Sequence, residues 1–267
     1  MRNRMARDMG SRRFKVGGGG GAVSGTPVDL VMNFEAGTPP NGMTSTDYDN
    51  CTTKSAAAAG TWTVPFSNIV SNSVSQFDLG TRRCKVGSTQ VGNTILLGRA
   101  DNDVPQRIGR YTLDAGKDCA QASLGFFLNV INQGTFNFYN WGEMTGTNGK
   151  YNALHHRDNS PSQLGCEDDL SNIGTLITIA SATSYWVTML YDLTNTIIKL
   201  RVYDSSWALV GAESSLSIAG HSYTNFKSFM IGRTDNHGAN GTGPNYLDYV
   251  VMCLSTGVGA TYPLLPT

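Results

Sequence analysis

Residues 184–211, SYWVTMLYDLTNTIIKLRVYDSSWALVG, are two apolar-rich alternating runs joined by a short polar turn. Alternation with a period of two fits a pleated strand with one buried face and does not fit a helix, whose apolar positions recur every three or four residues. In the second run Ile198, Leu200 and Val202 share one face, and Lys199, Arg201 and Tyr203 share the other. The pattern predicts an antiparallel hairpin turning at Thr194-Asn195, with Thr196 just after. A second hairpin is predicted over residues 126–139, where FFLNV and TFNFY flank Ile131-Asn132-Gln133-Gly134 and the glycine supplies the positive φ of a tight turn.

Further short strands are predicted at 28–34, 61–64, 94–97, 107–113, 175–180, 229–233 and 246–254, separated by turn-forming residues such as Pro39-Pro40-Asn41-Gly42. Residues 140–165 are polar and weakly patterned, and read as a long surface loop. The one helix-like stretch, an alanine run over residues 55–60 ended by Gly60, is too short for more than a turn or a single helical coil. Only 15% of the 267 residues are charged and 31 are glycine, a balance suited to many short strands and tight turns. An all-β sandwich is therefore expected, long enough to bury a substantial core.

Charge divides the chain unevenly. Residues 1–15 carry Arg2, Arg4, Arg7, Arg12, Arg13 and Lys15 against Asp8 alone, a net +5, so the remaining fourteen basic and nineteen acidic residues leave the body at −5. Five glycines at 17–21 follow, and polyglycine loses too much backbone entropy to order without an outside partner. The expected organisation is an arm over residues 1–25 and one β-domain over 26–267. Such an arm is either a solvated terminus or an anchor on acidic neighbours in an assembly; few aromatics accompany its arginines, which argues against nucleic acid. Residues 1–23 contain no apolar run of the length an export signal needs, so synthesis in a cytoplasm is expected, without membrane insertion.

The ordered set V-D-L-V-M-N-F-E at 28–35, Y-W-V-T-M-L-Y-D at 185–192 with I-I-K-L-R-V-Y-D at 197–204, and F-M-I-G-R at 229–233 with Y-L-D-Y-V-V-M at 246–252 resembles concanavalin A-like, laminin G-like jelly rolls. Trp186 matches the aromatic that opens the hairpin, and Asp204 the residue that ends it. The resemblance covers residues 28–254 and implies an antiparallel jelly-roll sandwich. It implies use as a lectin, as a carbohydrate-binding part of an enzyme, or as a structural or adhesive protein of a bacteriophage particle, and fold alone does not choose. Combined with the basic glycine-linked arm, it points to a non-enzymatic virion protein: capsid decoration, fibre, or tail and collar component. Its expected partners are other virion proteins, further copies of itself and a host-surface glycan.

Two binding sites follow as expectations. First and last strands of such folds are neighbours, so Glu35 and Asp248 would offer oxygens to a structural calcium ion, the one cofactor expected. Residues 233–246, RTDNHGANGTGPNY, place Asp235, Asn236, His237 and Tyr246 in one strand connection, and planar amides, a carboxylate and an aromatic face suit a sugar. A plain Gly/Asn-rich connection reads the same way.

Enzymatic alternatives find little purchase. Glu167 and Asp169 have the acid-x-acid spacing of a glycosidase pair, but stand in a loop-like context that reads as solvated. Gly220-His221-Ser222-Tyr223-Thr224 lacks the second glycine of a nucleophile elbow. No Gly-Lys-Ser/Thr follows a glycine run, and His155 and His156 are adjacent, which on a strand sends them to opposite sides. The five cysteines, Cys51, Cys84, Cys119, Cys166 and Cys253, form no C-x-x-C pair and are expected as free, buried thiols.

Overall fold

The computed structural model describes residues 14–16, 29–32, 45–63, 77–78, 84–86, 89–91, 94–97, 107–130, 137–140, 153–158, 162–168, 172–180, 183–206, 208–221, 225–232, 245–255 and 264–266. In chain order, β1 (Phe14–Val16) and β2 (Leu30–Met32) precede α1 (Ser45–Asn50), β3 (Thr52–Lys54) and β4 (Gly60–Thr63). Next come β5 (Phe77–Asp78), β6 (Cys84–Val86), β7 (Thr89–Val91), β8 (Thr94–Leu97), β9 (Arg107–Leu113) and β10 (Gln121–Val130). The middle of the chain forms β11 (Asn137–Asn140), β12 (Ala153–Asp158), β13 (Ser162–Glu167), β14 (Ile177–Ile179), β15 (Thr183–Asp192) and β16 (Ile197–Tyr203). The last are β17 (Ser214–Ser217), β18 (Ser228–Gly232), β19 (Asn245–Ser255) and β20 (Leu264–Pro266).

These strands build a jelly-roll β-sandwich of antiparallel sheets, as expected. One layer runs β17-β16-β15-β10-β19-β2-β3, with β8 lying on the same edge of β19 as β2 and bringing β5 with it. The opposing layer is made of β14-β13-β12-β11 and β18-β9-β4, with β11 packed beside β18. Apolar side chains from both layers meet in one core: Leu124, Phe126, Val187, Met189, Ile198, Leu200, Val202, Val250 and Met252 face Trp62, Tyr111, Leu164, Ile177 and Phe229. Removing that apolar area from water at about 25 cal/mol per Å² is what offsets the entropy of ordering so many short strands. Strands β2 and β19, near the two ends of the sandwich sequence, are neighbours, with Val250 opposite Met32 and Met252 opposite Leu30.

The hairpin β15–β16 forms as predicted, Trp186 opposite Tyr203 and Asp192 opposite Ile197. Its turn spans residues 193–196, and Thr196, at φ 52°, takes the left-handed position without being glycine. Ile198, Leu200 and Val202 are buried and Lys199 and Arg201 half-buried, but Tyr203, expected outside, is buried too.

Three expectations are corrected. Strands β10 and β11 exist, yet they do not pair with each other: β10 lies between β15 and β19, and β11 pairs with β12 in the other layer. Alternation marks a strand but not its partner, and both edges of β10 are already taken. Residues 140–165 are not one loop, because β12 and most of β13 lie there, and Leu164 is fully buried. Finally, α1 was unforeseen. Six residues are too few to show helical periodicity, and its polar STDYDN sequence hides Tyr48, which is buried 4.6 Å from the Trp62 ring. Residues 55–60 form a turn leading into β4.

Part of the predicted arm is also paired: Phe14, Lys15 and Val16 stand opposite Pro266, Leu265 and Leu264 in a separate two-stranded ribbon.

Candidate functional site

Most of the residues singled out from sequence lie outside the described ones: Glu35, Asp235, Asn236, His237, and Arg2, Arg4, Arg7, Arg12 and Arg13. Lys15, Tyr246 and Asp248 are described through their backbone only. Tyr246 stands opposite Leu96 on one side and Asn129 on the other. Asp248 faces Phe127 where the β10–β19 register shifts by one residue at Tyr249. At the start of β2 a different carboxylate appears. Asp29 accepts hydrogen bonds from Leu254 N at 2.8 Å and Ser55 Oγ at 2.9 Å, so its oxygens tie β2 to β3 and β19.

Glu167 and Asp168 are not a solvated loop. Glu167 ends β13 and is buried, and Asp168 is wholly inaccessible. Gly174 N bonds Cys166 O, Ile173 bridges Glu167 and Asp168 N bonds Asn172 O, so Asp168 and Asn172 stand at the tip of this short ladder. At that tip Asp168 accepts from Asn172 N and from Asn172 Nδ2, each at 2.8 Å. His221 Nε2 approaches the same Oδ2 at 3.0 Å, and since an ionised carboxylate only accepts, the ring presents its Nε2–H there. The Asp169 that would complete the acid-x-acid pair is not among the described residues.

The Asp–Asn arrangement recurs twice at the same end of the sandwich. Asp192, closing β15, accepts from Asn195 N at 3.1 Å, Asn195 Nδ2 at 2.7 Å and Gln121 Nε2 at 3.1 Å. Burial pulls the Asp192 carboxyl pKa up, but the bonds from Asn195 and Gln121, with Lys199 nearby, outweigh it and hold it below the usual carboxylate range. Asp118 accepts from Asn225 Nδ2 at 2.8 Å. A continuous set of bonds joins the three pairs. Ile218 N reaches Thr196 O, His221 N reaches Ile218 O and the His221 ring reaches Asp168, while Leu193 N holds Ala120 O and Cys119 and Phe226 pair through their backbones.

The result is a rim on which Asn172, Asn195 and Asn225 each have an amide clamped by a carboxylate. Asn172 and Asn195 are exposed and Asn225 is half-buried. One N–H of each amide is used, so among the described residues the carbonyl oxygen and a second N–H stay free to meet a ligand. Beside Asn172 stands Ile173, 44% exposed and one of two large apolar side chains left outside among the described residues. Sequence offered a partial signal here: an Asp with an Asn three or four positions on, at a strand end, favours a side chain-to-backbone turn. The pairing of Asp118 with Asn225 had none, since 107 residues separate them.

Elsewhere the polar groups have structural work. Asp204 closes the turn after β16 by accepting from Ser206 and from Ala208 N, bonds that depress its pKa. Glu213 meets Arg201 Nε at 2.8 Å and Lys199 Nζ at 3.1 Å. Cys51, Cys119, Cys166 and Cys253 are buried thiols outside any disulfide, as expected. Among the described residues no three of His, Cys, Asp and Glu gather as a metal would need.

No family model matches the chain, and no curated protein matches it in sequence. Solved structures do resemble it. Peanut lectin with a 9mer peptide matches with a TM-score of 0.39 at 15% identity, over 67% of this chain and 90% of the lectin. The CBM2 module of the evolved Dit of Lactobacillus casei BL23 phage J-1 matches with a TM-score of 0.36 at 10% identity, over 86% and 91%. Trypanosoma rangeli sialidase in complex with 2,3-difluorosialic acid matches with a TM-score of 0.46 at 11% identity. That match covers 87% of this chain, which spans 32% of the sialidase.

Proposed function

We propose that the protein is a non-enzymatic structural component of a bacteriophage particle, held by its basic arm, with a β-sandwich that serves adhesion by binding glycans. The observation that carries this reading is the segregation of charge: +5 in residues 1–15 against −5 in the rest of the chain. Oppositely charged surfaces attract over about a Debye length, roughly 8–10 Å at moderate salt, so the arm of one subunit is drawn to the acidic body of a neighbour. Four of the described carboxylates have their acceptor capacity turned inward, which supports a binding role over catalysis at those positions. Asp29, Asp168, Asp192 and Asp204 all accept several internal hydrogen bonds, whereas a general acid or base must keep an atom within reach of its substrate.

The test is incorporation. Assembled particles from infected cells, separated by density and probed for this chain, are expected to contain it, and a variant without residues 1–13 is expected in the soluble fraction. Incorporation of that variant at the wild-type level would refute anchoring by the arm. Hydrolysis of any polysaccharide by the purified protein would refute the non-enzymatic reading.

A further inference from the structure

The three clamped asparagines share a design that loop closure alone does not require. An Asp side chain closes a turn by accepting a backbone N–H, as Asp204 does from Ser206 and Ala208 without any Asn amide. At Asp168 and Asp192 the carboxylate also grips the Asn side chain, and at Asp118 it grips nothing else among the described residues. Gripping an exposed amide removes its rotational freedom before any ligand arrives, which lowers the entropic cost of binding. A fixed carbonyl oxygen beside a fixed N–H matches a hydroxyl pair on a sugar ring, one donating and one accepting. Ile173, next to Asn172, adds the apolar contact that a ring's C–H face accepts.

We propose that the rim of Asn172, Asn195 and Asn225, with Ile173, is the glycan-binding site, and that it takes neutral glycans. The assignment rests on the glycan-binding reading above and narrows it. It moves the site away from residues 233–246 to the end of the sandwich where β10 begins and β15 and β17 finish. Neutrality follows from the carboxylates of Asp118, Asp168 and Asp192 directly behind the amides, in a body of net charge −5, which disfavour an anionic sugar. Lys199, on the neighbouring strand, is engaged by Glu213.

Immobilised mannan and laminarin, as neutral polymers, and polygalacturonate, as an anionic one, test this by biolayer interferometry with the full chain. The wild type is expected to bind a neutral polymer through the rim, whereas any polygalacturonate held by the basic arm should bind the wild type and the triple variant equally. Each of N172A, N195A and N225A should weaken binding by about tenfold, the scale of one lost hydrogen bond, and the triple variant should abolish it. Circular dichroism and melting check that the variants are folded. If the triple variant does not fold, Asn172→Ala and Asn172→Ser decide, since that side chain is exposed. Wild-type binding left unchanged by these substitutions would overturn the rim while the glycan reading stood. Polygalacturonate bound as tightly as the neutral polymers and lost in the triple variant would overturn the preference, and a wild type that binds no glycan would overturn both readings.

Discussion

Replacing Asp29 by alanine should destabilise the fold measurably. The residue is 9% exposed, and its carboxylate receives Leu254 N at 2.8 Å on one oxygen and Ser55 Oγ at 2.9 Å on the other. Each hydrogen bond to a charged acceptor is worth about 1.5–3 kcal/mol. Asp29→Ala therefore costs about 3 kcal/mol, the lower sum, because the exposed edge lets water replace part of what is lost. The backbone bonds Asp29 N to Met252 O and Ser55 N to Asp29 O remain in place. Asp29→Asn should cost only about 1 kcal/mol, since the amide oxygen placed where Oδ2 stands keeps the Leu254 N–H and the new amide NH2 donates to a rotated Ser55 hydroxyl. Ser55→Ala removes one donor and should cost about the same. Equilibrium unfolding in urea reads the three values directly, and the melting temperature of the alanine variant should fall by about 6–12 °C. Equal losses for Asp29→Asn and Asp29→Ala would refute the geometry, as would an alanine variant within about 0.5 kcal/mol of wild type.

Three other outcomes follow. A Cβ at Gly60 would meet the Thr112 carbonyl oxygen and two Tyr111 ring carbons at 2.8 and 2.9 Å, so Gly60→Ala should cost about 2–3 kcal/mol in the same assay; an unchanged midpoint would show that β4 and β9 can part freely. The Asp192 carboxyl, held below its ordinary pKa, contributes stability that is complete above the unfolded value near 4 and is lost as pH falls through the lower folded one. The stability difference between wild type and Asp192→Asn should thus be flat above about pH 5 and shrink on acidification, and a difference constant down to pH 2 would contradict this. Burial pushes the Cys166 thiol up to about 12, so iodoacetamide at pH 8 should leave it unmodified in the native protein and modify it in denaturant; peptide mass spectrometry showing rapid native alkylation would overturn the assignment.

How far the fold could be read ahead depended on whether the information was local. The β15–β16 hairpin was legible because alternation and turn chemistry sit within one short segment, and β8 and β9 appear with the bounds expected. Partnership was not legible: nothing in FFLNV says that β10 will be enclosed by β15 and β19. Polar strands such as β12, with sequence ALHHRD, escaped because their hydrophobic pattern is weak. The rim was half-visible. Asp168 with Asn172 and Asp192 with Asn195 are short-range pairs, but their presence on one edge depends on Ile218 and His221 spanning between them. Asp169 has the acid-x-acid spacing with Glu167, but its neighbour Asp168 is the one the fold buries, and burial is a tertiary property.

The position of β19 has a consequence for biosynthesis. This strand is hydrogen-bonded to β10, β2 and β8, yet all three are translated long before it. A ribosome that has emitted the first two hundred residues holds β10 with one open edge and β2 without its central neighbour. The nascent chain must therefore wait, its ladder exposed to other nascent chains, and closure comes late and almost at once. Chaperone demand during synthesis, and inclusion bodies from any product that stops short of residue 245, are built into this strand order.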